Sequence, residues 1–325
     1  TWRERVREAR RRFTPGPKLA AAFFAISFVG LGSWIFYNTH VLNEFMPGDD
    51  MLDLQADYEK TYSKYKGLAQ PRITVMRTDV DICPEERVAK VRGHYRLINR
   101  HATAIPEFVV QVPAGIRESA VTLDLAPHSV VSSDEPMNTM VLKLDTPMAP
   151  GAEMDFDFTL TLHEPGFTNS RAQTNVVENG TFFNNFQFPQ FGYSENFQIV
   201  DRNERRKRDL GEVPRMAKID DEPARANNYI SDDADWLDFE TTVSTAEDQI
   251  ALAPGSLQRG WVENGRRYFH YTLDVPMLPF AAWLSARWEV KKGDWNGMPI
   301  EIYYDKKHAY NVDRMIEASK KSFDY

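Results

Sequence analysis

Few residues in this chain are placed to carry hydrolytic chemistry. A catalytic zinc needs two or three His or carboxylate ligands aimed at one point. Its compact sequence form is His-Glu-x-x-His on a helix, where a step of four puts both imidazoles on one face. His163-Glu164 begins that pattern, but Pro165, Gly166 and Phe167 follow, so the second His is missing and Pro-Gly dictates a turn. His40, His94, His101, His128, His270 and His308 show no ligand spacing. Cys83 is the only cysteine, which excludes an intrachain disulfide and a multi-cysteine metal site. The sequence has no Gly-x-Ser-x-Gly elbow and no phosphate-cradling glycine loop. Asp220-Asp221-Glu222 and Asp232-Asp233-Ala234-Asp235 lack the Gly and terminal Glu of a calcium loop and read as solvated acidic loops. The run from Arg202 to Arg208 could meet anionic headgroups or a carboxylate, but its ordinary reading is a solvated helix face or loop. Asn179-Gly180-Thr181 is a formal sequon that reads as a turn.

The stretch from Gly180 to Tyr193 is denser. Phe182, Phe183, Phe186, Phe188 and Phe191 interleave with Asn184, Asn185, Gln187 and Gln190. Rings make walls and amides fix polar ends, which is how recognition surfaces are built. The other reading is a buried loop whose amides satisfy backbone groups. Residue types alone leave both open.

The elements that must position these residues begin with an uncharged apolar run, Leu19 to Tyr37, long enough as a helix to cross a bilayer core. Arg3, Arg5, Arg7, Arg10, Arg11, Arg12 and Lys18 precede it, whereas Glu44, Asp49, Asp50 and Asp53 follow. Positive flanks stay cytoplasmic, so the N-terminus is expected inside and everything past about Asn38 outside. A cleaved signal peptide is the competing reading, but Asn38-Thr39-His40-Val41 offers no small-residue cleavage pattern. The expected organisation is a basic cytoplasmic arm over 1–17, a transmembrane helix over 18–38, and an acidic linker with an amphipathic helix over 39–70. An extracytoplasmic β domain over 71–304 follows, and a helix begins in 305–325, read as the start of a truncated helical catalytic domain.

Met51, Leu54, Tyr58, Tyr62 and Tyr65 recur at steps of three and four, one helical face, with Asp49 or Asp50 to cap it and Gly67 beyond its end. This helix is a stalk or packs on the next domain. From Arg72 the period becomes two. Ala89, Val91, Gly93, Tyr95 and Leu97 alternate with charged residues, as do Met154, Phe156, Phe158, Leu160 and Leu162. Further strands are expected at 108–112, 120–125, 140–144, 237–243, 268–273, 283–290 and 300–304. Turns fall at Pro113-Ala114-Gly115, Pro150-Gly151, Pro254-Gly255, Asn264-Gly265 and Asn296-Gly297. The fold class is mainly β, a large antiparallel sandwich or saddle. Residues 178–235 break the pattern and read as a long ordered insertion. Val312, Met315, Ile316, Ser319 and Phe323 predict a final helix.

Composition narrows the function classes. Of 325 residues 42% are hydrophobic and 26% charged, ordinary for globular protein. The net charge of −8 despite the basic arm makes the remainder acidic, which disfavours nucleic acid. An ectodomain without disulfides suits a bacterial envelope protein.

The C-terminal half resembles the N-terminal β domain of the aminopeptidase N-like zinc peptidases, the gluzincin group. Phe239–Val243 looks like the family's edge strand, and Ala253-Pro254-Gly255 stands where the family has Ser-Asn-Gly. Pro276-Met277, Phe280-Ala281-Ala282 and Trp288 resemble the segment that closes the β domain. Pro147–Leu162 resembles the family's Gly-Glu turn and strand. In the middle, Phe188-Pro189-Gln190-Phe191-Gly192-Tyr193 replaces Phe-Pro-Cys-x-Asp-Glu-Pro. The preceding apolar helix resembles the subgroup fused behind an ABC-transporter permease region in the bacterial inner membrane. The resemblance implies zinc for the complete protein and none for this segment, since the family's metal helix lies downstream of its β domain. It implies no catalytic residue here, and a substrate-binding role for Asn184, Asn185 or Gln187 in holding a peptide's free amine. Expected partners are the membrane, a peptide, the missing catalytic domain and transporter subunits, with no nucleic acid. The other functional expectation is a non-catalytic ectodomain that binds peptides or partner subunits through its sheet faces.

Overall fold

A computed structural model describes residues 1–112, 121–170, 174–213, 217–225 and 233–325. The turn at Pro113-Ala114-Gly115 and the acidic Asp232 lie outside them. The chain forms two units, one of residues 1–48 and 165–173, the other of residues 49–164 and 174–325.

In the first unit, α1 (Trp2–Arg12) and α2 (Pro15–Phe36) bury none of their residues. A helix N-terminus tolerates Pro at its first position, because that N–H would be unpaired anyway. α2 runs on into a π-helical turn, Tyr37–Leu42, so the tetrapeptide Asn38-Thr39-His40-Val41 is helical. Asn38 Nδ2 donates to Trp34 O at 2.9 Å and Thr39 Oγ1 to Ile35 O at 2.9 Å, which keeps these polar side chains on the helix itself. Pro15–Leu42 is long and apolar enough to cross a membrane. Asn43 Nδ2 donates to Pro165 O at 2.8 Å, and Trp34 packs on Phe167 with ring centroids 4.9 Å apart.

The second unit is mainly β. A seven-stranded sheet has the order β12-β13-β10-β1-β2-β7-β4, formed by β1 (Arg72–Cys83), β2 (Val88–Ile98), β4 (Val121–Leu125), β7 (Glu153–His163), β10 (Asp238–Ala246), β12 (Ser256–Glu263) and β13 (Arg266–Thr272). A four-stranded sheet, β5-β6-β3-β9, uses β3 (Ile105–Gln111), β5 (His128–Asp134), β6 (Thr139–Met148) and β9 (Gln190–Phe191). A three-stranded sheet, β11-β14-β8, uses β8 (Thr181–Asn184), β11 (Ile250–Leu252) and β14 (Ala282–Ala286). A hairpin of β15 (Glu289–Trp295) and β16 (Met298–Tyr304) follows. Asn264 and Asn296, both at positive φ and each followed by a positive-φ Gly, close β12–β13 and β15–β16 as Asn-Gly turns require.

Period-two patterning places Met76, Val91, Tyr95, Phe156, Phe158 and Val243 on one face of the large sheet, where they are buried. Phe108, Val110 and Leu142 of the four-stranded sheet and Phe183 and Trp283 of the three-stranded sheet close the same core. Pairing within the large sheet is antiparallel except between β1 and β10, which run parallel from Val75–Asp238 to Asp81–Ser244. β10 is therefore internal, flanked by β1 and β13, and not the edge strand that the family resemblance suggested for Phe239–Val243.

α3 (Gly48–Tyr62) and its 3-10 extension Ser63–Tyr65 pack Tyr58, Tyr62 and Tyr65 against Val109 and Val141 on the other face of the four-stranded sheet. The predicted stripe thus serves packing. Two short helices follow, α4 (Arg202–Lys207) and α5 (Glu222–Arg225). α6 (Val312–Asp324) buries Val312 and Ile316, and Trp295 of the hairpin donates to Asp324 at 2.7 Å. Segment 178–235 is no insertion in the structural sense, since it supplies β8 to one sheet and β9 to another.

Candidate functional site

The ordinary readings account for most motifs. Glu164 accepts from Asn175 N at 3.1 Å and from its Nδ2 at 2.5 Å, so it closes a turn. Asp221 accepts from Ala224 N at 3.1 Å at the start of α5. Asp233 is buried and accepts from Phe191 N at 2.8 Å, fixing β9. Among the described residues no three His, Cys, Asp or Glu side chains converge, so these residues do not form a zinc site. The basic run is not simply a solvated face. Arg205 is buried and chelates Glu59, and Arg208 reaches Asp53 at 2.7 Å.

The wet face of the large sheet carries a groove of about 560 Å³ lined by Arg77, Asp79, Arg92, His94, Asp157 and Glu240 among others. Its charges pair across neighbouring strands. Arg77 faces Glu240 at 3.5 Å, Arg92 faces Asp79 at 3.6 Å, and His94 Nδ1 meets Asp157 at 2.7 Å. These are exposed cross-strand pairs, worth little individually. They are the ordinary furniture of a solvated sheet face.

The amide–aromatic segment builds a different surface. Strand alternation divides β8: Thr181 and Phe183 point inward, whereas Phe182 is 49% exposed and Asn184 half-buried. Register aligns Phe182 with Leu284 and Leu284 with Leu252, and Asn184 with Ala282. The outer face of the three-stranded sheet therefore carries a row Leu252–Leu284–Phe182, next to which Asn184 begins a polar end. Directly after β8 the chain makes a 3-10 turn, Asn185–Gln187, capped by Asn184, whose Oδ1 accepts from Phe186 N at 3.0 Å.

Asn185 is buried and pins that turn. Its Nδ2 donates to Pro279 O at 3.0 Å and its Oδ1 accepts from Ala281 N at 2.8 Å. Its own N–H donates to Ala281 O at 2.9 Å, so three bonds bind the turn to the loop before β14. Phe186 then meets Phe280 edge to face, ring centroids 5.9 Å apart, with Phe280 53% exposed. Gln187, the residue after Phe186, is half-buried, and among the described residues its side-chain amide has no hydrogen-bond partner. The two sides of the segment differ: Phe183, Phe188 and Phe191 are core, whereas Phe182 is exposed and Phe186 and Gln187 are half-buried along a surface termed the shelf.

The shelf is held rigidly from behind. Trp283 is fully buried, stacks on Phe183 at 5.7 Å, and donates from Nε1 to Thr241 Oγ1 at 3.1 Å. Thr245 and Ser285 hydroxyls meet at 2.6 Å, Ser285 donates to Gln249 Oε1 at 2.7 Å, and Gln249 Nε2 donates to Glu178 O at 2.7 Å. A fully satisfied buried network of this kind specifies one arrangement of the two sheets. The sequence offered no sign of it, because its members are single Thr, Ser and Gln residues on different strands.

None of Phe182, Asn184, Asn185, Phe186, Gln187 or Phe280 is a titratable group, and the displaced pKa values belong to other residues. Burial pushes Tyr58 well above the usual tyrosine range, and pushes Tyr62 up to about 12 with help from Asp134. Glu59 holds the Arg205 guanidinium charged above its ordinary value.

No protein-family model matches the chain, and no curated protein matches it. Its structure is similar to an M1 zinc metallopeptidase from Deinococcus radiodurans bound to a Tyr-Ser-Ala substrate, at 14% identity and a TM-score of 0.43, over 72% of this chain and 46% of that one. A second structure of an M1 zinc metallopeptidase from Deinococcus radiodurans gives 13% identity and a TM-score of 0.42, over 70% and 44%. A two-domain M1 zinc metallopeptidase bound to L-tryptophan gives 13% and 0.42, over 72% and 47%. The chain spans about half the length of the solved structures it matches. Superposition at this level leaves its family open.

Proposed function

We propose that the chain is the membrane-anchored β portion of an aminopeptidase N-like zinc peptidase, and that the shelf forms one wall of the site receiving a peptide N-terminus. The observation that carries this reading is the Gln187 amide, without a hydrogen-bond partner among the described residues and next in sequence to Phe186 of the Phe186–Phe280 ring pair. An amide carbonyl accepts from an ammonium group, and adjacent rings exclude water and add cation–π attraction. Of the three candidate residues, Gln187 is the one whose amide would take the amine. Asn184 lies at the polar end of the apolar row, and Asn185 holds the turn. The sequence resemblance around Pro276-Met277 and Phe280-Ala281-Ala282 supports the same reading.

In its fuller form the proposal places α2 in the inner membrane of a bacterium, N-terminus cytoplasmic, behind an ABC-transporter permease region. On this reading zinc and its ligands would be supplied by the family's metal-binding helix, which these described residues do not contain. The second reading is a non-catalytic ectodomain that binds peptides or partner subunits. The row Leu252–Leu284–Phe182 favours it, since an apolar row takes an apolar side chain without needing an amine.

The test is saturation-transfer NMR on the detergent-solubilised chain with Phe-Ala-Ala and its N-acetyl derivative. The expected result is binding in the roughly millimolar range for the free amine, several-fold weaker for the acetylated peptide and for Gln187→Ala. Equal binding of the two peptides points to the apolar-row reading, and binding of neither removes the peptide site from this segment.

A further inference from the structure

α1 is an amphipathic helix that nothing among the described residues covers. At 100° per residue, Trp2, Val6, Ala9 and Phe13 fall within an arc of roughly 60°. Trp2 is 78% exposed, Phe13 is 45% exposed at the helix end, and no residue of α1 is buried. The same geometry sets Arg3 and Arg10 along one side of the stripe and Arg5 and Arg12 along the other. Glu4 and Glu8 point away from it, Glu8 pairing with Arg12 at 3.1 Å and Glu4 with the N-terminal ammonium at 2.6 Å. The segment up to Lys18 carries seven cationic side chains against two carboxylates.

We propose that α1 lies flat on the anionic lipid headgroups of the leaflet that α2 enters, its Trp2–Val6–Ala9–Phe13 stripe in the acyl boundary and its flanking arginines on lipid phosphates. This rests on the reading of α2 as a membrane span. Three observations lead to it. Only Phe13 and Thr14 separate α1 from Pro15, where the apolar helix starts, so a bilayer entered by α2 lies within two residues of α1. The arginines border the apolar arc on both sides, at the depth where phosphates sit beside an interfacial helix, and the carboxylates do not. A helix of 11 residues is marginal in water without a partner surface, and the lipid surface supplies one. The arm then does more than set orientation through its charge: it is a lipid-reading element whose hold depends on the anionic content of the leaflet.

The experiment is hydrogen exchange on the full chain in nanodiscs of zwitterionic lipid alone and of zwitterionic lipid with roughly one-third anionic lipid. The expected result is at least tenfold slower exchange of the Val6–Arg12 amides in the anionic discs. Arg3→Gln/Arg10→Gln/Arg12→Gln should remove that difference, and Val6→Glu should remove the protection itself. Neither variant touches a buried residue, so the β unit stays folded in both. Equal exchange of α1 in the two discs, with α2 amides still protected, overturns the proposal and leaves the span reading intact. Unprotected α2 amides, with the chain failing to co-purify with discs, overturn both.

Discussion

Arg205 and Glu59, 146 residues apart in sequence, grip each other through two parallel bonds, Nη2 to Oε1 at 2.5 Å and Nη1 to Oε2 at 2.7 Å. Both side chains are nearly out of water, at 5% and 13% exposure. Two of the three remaining guanidinium donors reach Ile199 O at 2.7 Å and Gly211 O at 2.6 Å, so α3 is riveted to the segment around α4. Removing one partner leaves the other charge buried, which costs about 3–5 kcal/mol. Glu59→Ala is expected to lower the urea midpoint accordingly, whereas Glu59→Leu/Arg205→Met recovers most of the loss. If the single and double variants unfold together, the pair is not what joins these segments.

Asn185 and Gln187 sit two residues apart in one turn and are expected to respond in opposite ways. Asn185→Ala strands Pro279 O and Ala281 N in the interior, each costing about 1–3 kcal/mol. Gln187→Ala removes an amide without a partner among the described residues, and stability should stay within about 0.5 kcal/mol. Denaturation midpoints for the two variants check this directly. A destabilised Gln187→Ala would mean the amide is structural, and the shelf would lose its polar reader.

How much of this was legible in the sequence depends on whether a residue's partner is local. β2 and β7 are half-buried, so period-two alternation in Ala89–Leu97 and Met154–Leu162 reads directly. β12 has Leu257 and Val262 exposed and no buried residue, so it carries no periodicity to detect. The stretch 283–290 reads as one strand, yet a turn bonding Trp288 N to Ala286 O at 2.9 Å divides it into β14 and β15. Alternation is blind to strand direction, so the parallel pairing of β1 with β10 was not encoded in it. At the site, interleaved rings and amides announced a special segment, but which face each residue took depended on register with β14. Arg205 looked solvated among its charged neighbours because Glu59 lies far away in sequence.

Gly93 and Phe158 are register partners on the buried face of β2 and β7. A Cβ at Gly93 would lie 2.1 Å from Phe158 Cζ, so the ring occupies the space that glycine leaves open. Phe158 is itself buried against Tyr95, centroids 4.9 Å apart, and cannot swing away freely. Gly93→Ala is therefore an overpacking change and is expected to cost about 2–3 kcal/mol. Phe158→Leu alone opens a cavity, but Gly93→Ala/Phe158→Leu should be more stable than the sum of the two changes predicts. A double-mutant cycle from urea unfolding measures the coupling, and strict additivity would show that the ring and the glycine do not constrain each other.

Tyr62 makes the fold alkali-sensitive in a defined window. Burial first, then the charge of Asp134 and its bond with the hydroxyl at 3.2 Å, push the phenol up to about 12 from tyrosine's ordinary 10.0. The folded state therefore keeps its proton where the unfolded chain has lost it. The contribution is fully present below pH 10 and disappears as pH rises toward 12. Between those limits stability should fall by up to about 1.4 kcal/mol per pH unit for this one group. Tyr271, buried and pushed up to about 12, adds a slope of the same sign. Tyr62→Phe is expected to be less stable at neutral pH through loss of the bond to Asp134, but to lose stability more slowly above pH 10. Urea midpoints for both proteins between about pH 9 and 11.5 separate the outcomes, since the two curves converge if Tyr62 carries the effect. Parallel curves would mean that Tyr62 ionises freely in the folded state, and that the tyrosine cluster between α3 and the four-stranded sheet is open to water.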